Sequence, residues 1–404
     1  MTSAEPNFGS VERPAHVRPD QVVDFDYFHP PGIEAGDVYA AWNRLREGPD
    51  IFWTPRNGGH WVVTRAEDVR YVQQTFEIFS HEEFIIPRGS LRIHMPPVTV
   101  DPPDHARYRV VLNPAFRSGK VAAMEAQVRA LTADLIEGLR PRGGCDFVTE
   151  FAQVMPVTVF LGLADLPLDR REEFVGWAVS VITATDQPTR DRYLKEVAEF
   201  LRAVLKEREA GDSDDIMSAI ARWGRSAACK DGEATGMAAA VFFGGLDTVA
   251  NMLSFTMRHL AEHPQHRRRL IEEPAISAKA AEEYLRRFGL SNTGRLVRRA
   301  TDYKGAHFAA EDMVMVPICM SSMDERAYAR PLEVDFDRQI EGHDTFGNGP
   351  HRCVGAPLAR LELRVFLEEW VRRIPEFRLD PAHPPESHSG NINGLHSLRL
   401  LWDV

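Results

Sequence analysis

The sequence predicts a mainly α-helical protein, in which one large helical domain carries a small lobe rich in β-strands. Apolar residues recur at helical spacing over 121–139, 191–208 and 264–272, as they do in amphipathic helices. Strand patterns are few and short: HWVVT at 60–64 and MVMVP at 313–317. No repeat or long linker divides the chain, so we expect one domain over residues 1–404 with a loosely ordered arm over about 1–20, although this length also accommodates two or three domains.

Charge and composition exclude several classes of function. Lys and Arg number 48 against 59 Asp and Glu, so the net charge of -11 provides no sequence-wide basic field for nucleic acid or anionic lipid. The N-terminus lacks the basic and then apolar pattern of a signal peptide. The longest apolar segment, between Glu233 and Asp247, is too short to span a bilayer. We therefore expect a cytoplasmic protein with neither nucleic acid nor membrane as a partner.

The segment FGNGPHRCVG at 346–355 places one cysteine in a glycine-rich loop. Apolar residues recur at helical spacing over 354–365, so Cys353 is predicted to lie at the N-terminus of a helix. The free N–H groups and the helix dipole favour a thiolate there. The four cysteines of the chain are scattered and form no CxxC pair, which argues against disulfides and against a four-cysteine zinc site.

Several interpretations of this cysteine remain open on the residues alone. Cys353 is a buried free thiol, a nucleophile paired with His351, or part of a zinc site with His343 and His351, which would lack a fourth ligand. A thiolate in a glycine-rich loop is also how some proteins hold haem iron from its proximal side.

The pattern Phe346-x-x-Gly349-x-His351-x-Cys353-x-Gly355 closely resembles the cysteine-ligand loop of the cytochrome P450 superfamily. This resemblance implies haem b, with Cys353 as the axial ligand of its iron. Most members carry Arg in place of His351 and a smaller group carries His, and either side chain can donate to a haem propionate.

Haem propionates need cationic partners. In DPPDHARYR at 101–109, Asp101 is predicted to cap a helix that begins with two prolines, so that His105 and Arg109 lie on one face. Without further evidence, His105 and Arg109 would be interpreted as an exposed pair of polar side chains. Its spacing resembles the propionate-binding helix of the superfamily, and Arg295 in NTGRLV matches another propionate ligand.

An apolar helix predicted over 237–256 contains four residues that do not suit a plain core helix. Gly244 and Gly245 each weaken it by roughly 1 kcal/mol, and the Thr248 hydroxyl can bond the carbonyl oxygen of Gly244, so a notch is expected. The arrangement resembles the distal helix of the superfamily, in which the kink accommodates O2 and an acid–alcohol pair, here Asp247 and Thr248, manages proton delivery. For Asp247 alone, the alternative is a salt bridge at the end of a core helix.

The resemblance extends to the scaffold and beyond. Glu283 and Arg286 match the Glu-x-x-Arg motif, a structural ion pair. From DFDYFHP near residue 24 to LLWD at the C-terminus, the chain resembles the bacterial camphor 5-monooxygenase family. That implies a monomeric cytochrome P450 fold that hydroxylates small ring compounds with O2 and electrons from a [2Fe–2S] ferredoxin, itself reduced by an NADH-dependent flavoprotein. Candidates for a basic patch that docks the ferredoxin are Arg107, Arg109, Arg360 and Arg364. The alternative is that they are solvated helix charges.

The loop over residues 84–104, which we call the substrate loop, departs from this family. The camphor enzyme holds its ketone with a tyrosine, but no tyrosine lies between Phe84 and Asp104 here. Counting forward from Pro87 puts His94 at that position and counting back from Asp101 puts Ile93 there; we prefer His94 as a donor to a ketone, against a solvent-facing histidine. Pocket positions carried over by register are Ala240, Phe243, Ser291 and Ile392.

These positions predict hydroxylation of a terpenoid or norisoprenoid ring compound, an ionone-like ketone in preference to camphor. The alternatives are a peroxide-using haem-thiolate enzyme and a non-catalytic haem sensor. The intact Asp247–Thr248 pair argues against both.

Overall fold

Helices form most of the chain, as the sequence predicts. The computed structural model describes residues 9–91, 93–183, 186–211 and 213–404. In chain order the helices are α1 (Val38–Asn43), α2 (Ala66–Gln74), α3 (His105–Leu112), α4 (Ser118–Ala123), α5 (Glu125–Leu139), α6 (Met155–Ala164), α7 (Arg171–Thr183), α8 (Gln187–Glu207), α9 (Ile216–Gly224), α10 (Glu233–Gly244), α11 (Thr248–Glu262), α12 (Pro264–Glu272), α13 (Ser277–Arg287), α14 (Ile318–Ser322) and α15 (Ala356–Arg373).

The strands are short and form small sheets. They are β1 (Ile51–Thr54), β2 (His60–Val63), β3 (Phe79–Ser80), β4 (Gly144–Asp146), β5 (Asn292–Val297), β6 (Thr301–Tyr303), β7 (Ala306–Phe308), β8 (Met313–Pro317), β9 (Arg378–Leu379), β10 (Glu386–His388), β11 (Gly394–Ser397) and β12 (Arg399–Leu401). The largest sheet has the order β1-β2-β8-β5-β3, in which β2 and β8 are parallel and the other pairs antiparallel. Its apolar side chains form a second, smaller core beside the main helical one.

The elements predicted from periodicity are present. The apolar pattern over 121–139 is divided between α4 and α5, the next pattern is α8, and the third is α12. Both predicted strands are confirmed as β2 and β8, which pair with each other in the main sheet.

The N-terminal arm packs more closely than the sequence predicts. Val17 is fully buried in the core of the sheet lobe, and the His16 ring lies 2.9 Å from a carboxylate oxygen of Asp312. Ser10 forms an isolated β-bridge with Arg56. The expectation of loose order is therefore wrong for residues 10–20, because burial of an apolar side chain fixes this stretch; residues 1–8 lie outside the described part of the chain.

Helix α15, which follows the cysteine loop, lies against α5, α11, α12 and α13. Its inner face buries Phe366 and Trp370, whose rings contact Phe147 and Phe151 at centroid distances of 5.1 to 5.7 Å. Such offset and edge-to-face contacts stabilise aromatic clusters beyond the burial of their area. The beginning of α15 is therefore held by the main core.

Glu283 and Arg286 form an ion pair inside the protein. Two hydrogen bonds of 2.8 and 2.9 Å join the guanidinium to the carboxylate, and both side chains are at most 1% exposed. Arg286 also donates to the carbonyl oxygens of Ser322, Pro331 and Glu333, while Glu283 accepts from Arg338. The pair ties α13 to the chain that leads into the cysteine loop.

The helices α10 and α11 together form a segment, Glu233–Glu262, that is long and apolar enough to cross a membrane by length and composition. More than half of its most apolar window is buried inside the protein. A core helix passes the same test, and the contacts of α11 with α6, α12, α13 and α15 show it to be one.

Replacement of Arg286 by Met should destabilise the fold strongly, because it leaves the Glu283 carboxylate buried without its main partner. We expect a loss of about 3–5 kcal/mol in the free energy of unfolding, measured by urea titration. The control is Lys195→Ala, which breaks an exposed pair with Glu199 and should change stability by less than about 0.5 kcal/mol. Similar losses in both variants would contradict a structural role for the buried pair.

Candidate functional site

The cysteine loop has a conformation that requires its glycines. Gly347 and Gly349 have φ of 70° and 71°, in the left-handed region that other residues rarely adopt. A Cβ on Gly349 would lie 3.0 Å from the carbonyl oxygen of Gln73 in α2. The loop closes with a hydrogen bond of 2.8 Å from the Cys353 N–H to the Phe346 carbonyl oxygen, and the Arg360 guanidinium covers the Phe346 ring at 4.6 Å.

The Cys353 side chain is solvent-accessible, but it is surrounded by protein on most sides. Burial raises the pKa of its thiol, and the backbone N–H groups of Gly355 and Ala356 together with Arg109 offset this only in part. The N–H groups at the helix end and the nearby guanidinium thus favour the thiolate, as expected, while desolvation opposes it.

Cationic and imidazole side chains gather beside this loop. The His351 ring contacts the His105 ring edge-on, at a centroid distance of 4.7 Å. Arg109 donates to the carbonyl oxygen of Arg352, next to Cys353. Arg295 is 4% exposed and donates to neutral oxygens of Thr293 and Gly294, so burial lowers its pKa to about 9.

Asp101 does not cap the helix as predicted. Helix α3 begins at His105, and its N-cap residue is Asp104, which makes no side-chain capping bond. The Asp101 carboxylate instead accepts hydrogen bonds from the Ser80 hydroxyl, the His81 backbone N–H at 3.2 Å and the His351 ring at 2.8 Å. Burial opposes ionisation, but these bonds prevail and lower the pKa of Asp101. The carboxylate thus orients His351.

His81 is a member of this cluster that sequence reasoning missed. Its ring stacks on the His351 ring at 4.4 Å, and burial lowers its pKa well below the ordinary value. The only sequence signal was its place directly after a short strand. Two buried ring nitrogens, Nδ1 of His81 and Nε2 of His105, have no hydrogen-bond partner among the described residues. Buried polar atoms of this kind, beside the Arg295 guanidinium, which forms no ion pair among the described residues, fit an anionic ligand.

On the other side of the site the long apolar helix is broken where the sequence predicts a notch. Helix α10 ends at Gly244 and α11 begins at Thr248, whose hydroxyl lies 3.5 Å from the Gly244 carbonyl oxygen. The surroundings of the two glycines differ. A Cβ on Gly245 would collide with the Phe160 ring at 2.4 Å, whereas a Cβ on Gly244 would meet nothing within 4 Å and would point into open space.

Asp247 lies in the break between the two helices. Its carboxylate accepts a hydrogen bond of 2.9 Å from the Asn251 side chain, and within the described ranges no cation pairs with it. Burial raises its pKa to about 6. An acid with this pKa exchanges protons near neutral pH, so Asp247 beside Thr248 is suited to proton transfer. The alternative of a salt bridge is not observed.

A largely apolar cavity of about 240 Å³ lies next to the notch. Gly244, Asp247 and Thr248 form part of its wall. Three of the predicted substrate residues, Ala240, Phe243 and Ile392, also line it. Ser291 does not; it pairs with Ile392 in an isolated bridge, and Thr293 of β5 reaches the wall instead.

The predicted substrate donor is wrong. His94 is exposed, its ring lies 3.4 Å from the Thr99 hydroxyl, and neither it nor Ile93 is among the described residues that line the cavity. Leu91, Met95 and Val98 take the inward positions. Counting forward from Pro87 and counting back from Asp101 both predicted the wrong inward residue. The loop is irregular, so its side chains do not alternate as they do in a strand.

Known proteins resemble the chain over nearly its whole length. The sequence model of the Cytochrome P450 family matches residues 183–397. The "Probable cytochrome P450 127A1" of Sinorhizobium fredii is 34% identical over 403 residues, which covers 96% of each chain. Among solved structures, CYP101C1 has a TM-score of 0.89 at 36% identity, covering 97% of this chain and all of that one. CYP101J2 has a TM-score of 0.88 at 35% identity, with 98% and 100% covered.

Replacement of Gly349 by Ala should strain the cysteine loop, because its φ is left-handed and the new Cβ would press on Gln73. We expect a loss of about 1–2 kcal/mol in the free energy of unfolding by urea titration. The control, Gly176→Ala in the middle of α7, has open space for the Cβ and should gain about 0.5–1 kcal/mol. A neutral Gly349 variant would show that the loop does not require this conformation.

Proposed function

Because the chain belongs to the cytochrome P450 family of haem-thiolate monooxygenases, we propose that Cys353 supplies the thiolate ligand of its haem. The observation that supports this assignment is the solvent access of the Cys353 side chain. Cys353 opens to solvent between the histidine cluster and α15, whereas Cys145 and Cys319 are buried. Cys229 is half-buried between α9 and α10, where its Sγ lies 3.3 Å from the Lys230 carbonyl oxygen.

The cluster around His351 suits the haem propionates. Arg295, Arg109 and His105 would hold the two carboxylates, and the unpartnered ring nitrogen of His105 would gain an acceptor. His351, oriented by Asp101, would add a donor. These residues fit the cofactor because, among the described residues, Arg295 forms no ion pair and a ring nitrogen of His105 has no hydrogen-bond partner, and two carboxylates would match them.

The notch between α10 and α11 contributes the groups for proton transfer. When bound, the haem activates O2 for hydroxylation. The chain's own part is to hold a hydroxyl, that of Thr248, and a proton-exchanging acid, Asp247, beside the open face of Gly244. This pair supports an O2-dependent monooxygenase over a peroxide-using enzyme or a haem sensor, which do not need it.

The cavity limits the substrate to small, mostly apolar molecules. Its volume of about 240 Å³ lies below the range usual for drug-sized ligands, and a terpenoid or norisoprenoid ring compound suits it. Phe243 and Ala240 shape the wall. His94 cannot hold an ionone-like ketone from its exposed position, so another group has to orient the substrate.

A [2Fe–2S] ferredoxin reduced by an NADH-dependent flavoprotein remains the proposed electron donor to this cytoplasmic, monomeric enzyme. The predicted basic patch is largely neutralised, because Arg107 pairs with Glu233, Arg360 with Glu282, and Arg364 with Glu125 and Glu368. Arg109 has no ion pair within the described residues, and its neighbour Arg352 is exposed. We therefore expect the affinity for ferredoxin to depend only weakly on ionic strength.

Replacement of Cys353 by Ser should remove thiolate ligation. The reduced, carbon monoxide-treated protein should lose the long-wavelength Soret band that marks a cysteine thiolate on iron. Cys229→Ser is the matched control and should keep the band. Retention of the band in the Cys353 variant would show that another cysteine is the ligand.

Replacement of Thr248 by Ala should uncouple the reaction, because the hydroxyl in the notch no longer helps to deliver protons. Substrate affinity and NADH consumption should be largely kept, while most of the electrons go to hydrogen peroxide and the product per NADH falls severalfold. Thr248→Ser keeps the hydroxyl and should remain coupled. An unchanged product yield in the Ala variant would mean that the notch is only structural.

A further inference from the structure

Thr293 links the cavity next to the notch with the cationic cluster beside the cysteine loop. Side chains of a strand alternate between the two faces of a sheet, so Thr293 and Arg295 of β5 lie on the same face. Thr293 is part of the cavity wall, whereas Arg295 is not. Among the described residues of this wall, none belongs to the group proposed to hold the haem propionates. Thr293 is therefore the member of β5 that a ligand in the cavity would meet.

The hydroxyl group of Thr293 has a proton that the protein does not use. Nη1 of Arg295 donates to the hydroxyl oxygen at 3.2 Å and to the Gly294 carbonyl oxygen at 2.7 Å. A guanidinium has no acceptor, so the Thr293 proton has to point away from Arg295. No described residue accepts that proton. Because the oxygen already accepts a bond from a cation, the O–H group is polarised and is a stronger donor.

Two further described residues of the wall carry hydroxyl groups, and both hydroxyls face carbonyl oxygens of the protein. The Ser90 hydroxyl donates to the Pro87 carbonyl oxygen, and the Thr248 hydroxyl lies 3.5 Å from the carbonyl oxygen at the end of α10. Asn391 is the remaining neutral polar residue of the described wall, and its amide oxygen lies 3.5 Å from the Tyr27 hydroxyl. The hydroxyl on β5 is therefore the one whose proton is available to a ligand.

We propose that Thr293 donates a hydrogen bond to the carbonyl oxygen of the substrate and so selects small apolar ketones. A ketone has an acceptor and no donor, which suits a wall that offers one free O–H group. Asp247 does not oppose such a ligand, because a ketone carries no charge. Apolar wall residues such as Phe84, Phe243 and Ile392 would enclose the hydrocarbon part. The inference rests on the proposed function, since it takes the cavity beside the notch as the substrate site.

The test uses a pair of ligands of one shape, 4-isopropylacetophenone and 4-isopropyl-α-methylstyrene, in which a methylene group replaces the carbonyl oxygen. Their dissociation constants are measured by calorimetry on the haem-loaded protein at neutral pH, with the haem spin-state shift as a second readout. Thr293→Val replaces the hydroxyl by a methyl group of similar size. This variant should weaken binding of the ketone by about three- to tenfold and leave binding of the alkene within about twofold.

Further variants separate hydrogen bonding from shape. Thr293→Ser keeps the hydroxyl and should keep the wild-type ratio of the two dissociation constants. Ser90→Ala is the matched control, because it removes a wall hydroxyl whose proton the loop already uses, and it should also keep the ratio. Retention of the carbon monoxide band in each variant shows that the haem site is intact. Thr293→Ala takes the place of the Val variant if that variant does not bind haem.

The inference is overturned if Thr293→Val weakens binding of the ketone and the alkene alike, or if it changes neither. An unchanged ratio together with faster transfer of haem to apomyoglobin would show that the hydroxyl serves a propionate instead. A fall in ketone binding in Asn391→Leu, with none in Thr293→Val, would make the amide the donor. The proposed function fails separately, through retention of the thiolate band by Cys353→Ser, and calorimetry of the two ligands does not depend on that result.

Discussion

The constraint on which the site depends is buried positive charge that forms no ion pair among the described residues. Arg295 is almost completely enclosed, and the carboxylate of Asp101 is already engaged by three donors. In a low dielectric, a charged guanidinium without an ion pair destabilises the protein. Burial therefore lowers the pKa of Arg295 to about 9. The two carboxylates of a bound haem would supply a matching charge. Cofactor binding and the stability of this region would therefore be coupled.

The two faces of the site are built by different means. On the cysteine side, glycines with left-handed φ allow the loop to approach α2, and α15 is fixed by an aromatic core behind it. On the notch side, the break between α10 and α11 is held by the contact of Gly245 with Phe160. One face is therefore specified by backbone conformation and the other by a steric contact, which explains why glycine occurs in both for unrelated reasons.

The sequence predicted the parts of the site that depend on local spacing. The cysteine loop, the broken helix and the Glu283–Arg286 pair each lie within a few residues of chain, so periodicity and motif order were sufficient. Contacts between distant segments were not predictable in this way. The role of Asp101 depends on a residue 250 positions later, and the stacking of His81 on His351 depends on the packing of a strand against the loop.

The substrate loop shows where register carried over from relatives fails. The described residues of this loop form no helix or strand, so counting from either end placed the wrong side chains inward.

The attachment of the cysteine loop to α2 has a consequence for thermal behaviour. The side-chain oxygen of Gln73 accepts hydrogen bonds from the backbone and the side chain of Asn348, and α2 also contributes Val69 and Val72 to the core of the sheet lobe. Heating that melts this lobe would release the loop, so loss of the cofactor and unfolding of the smaller lobe would belong to one cooperative transition. Bleaching of the haem colour would then report the melting of this lobe.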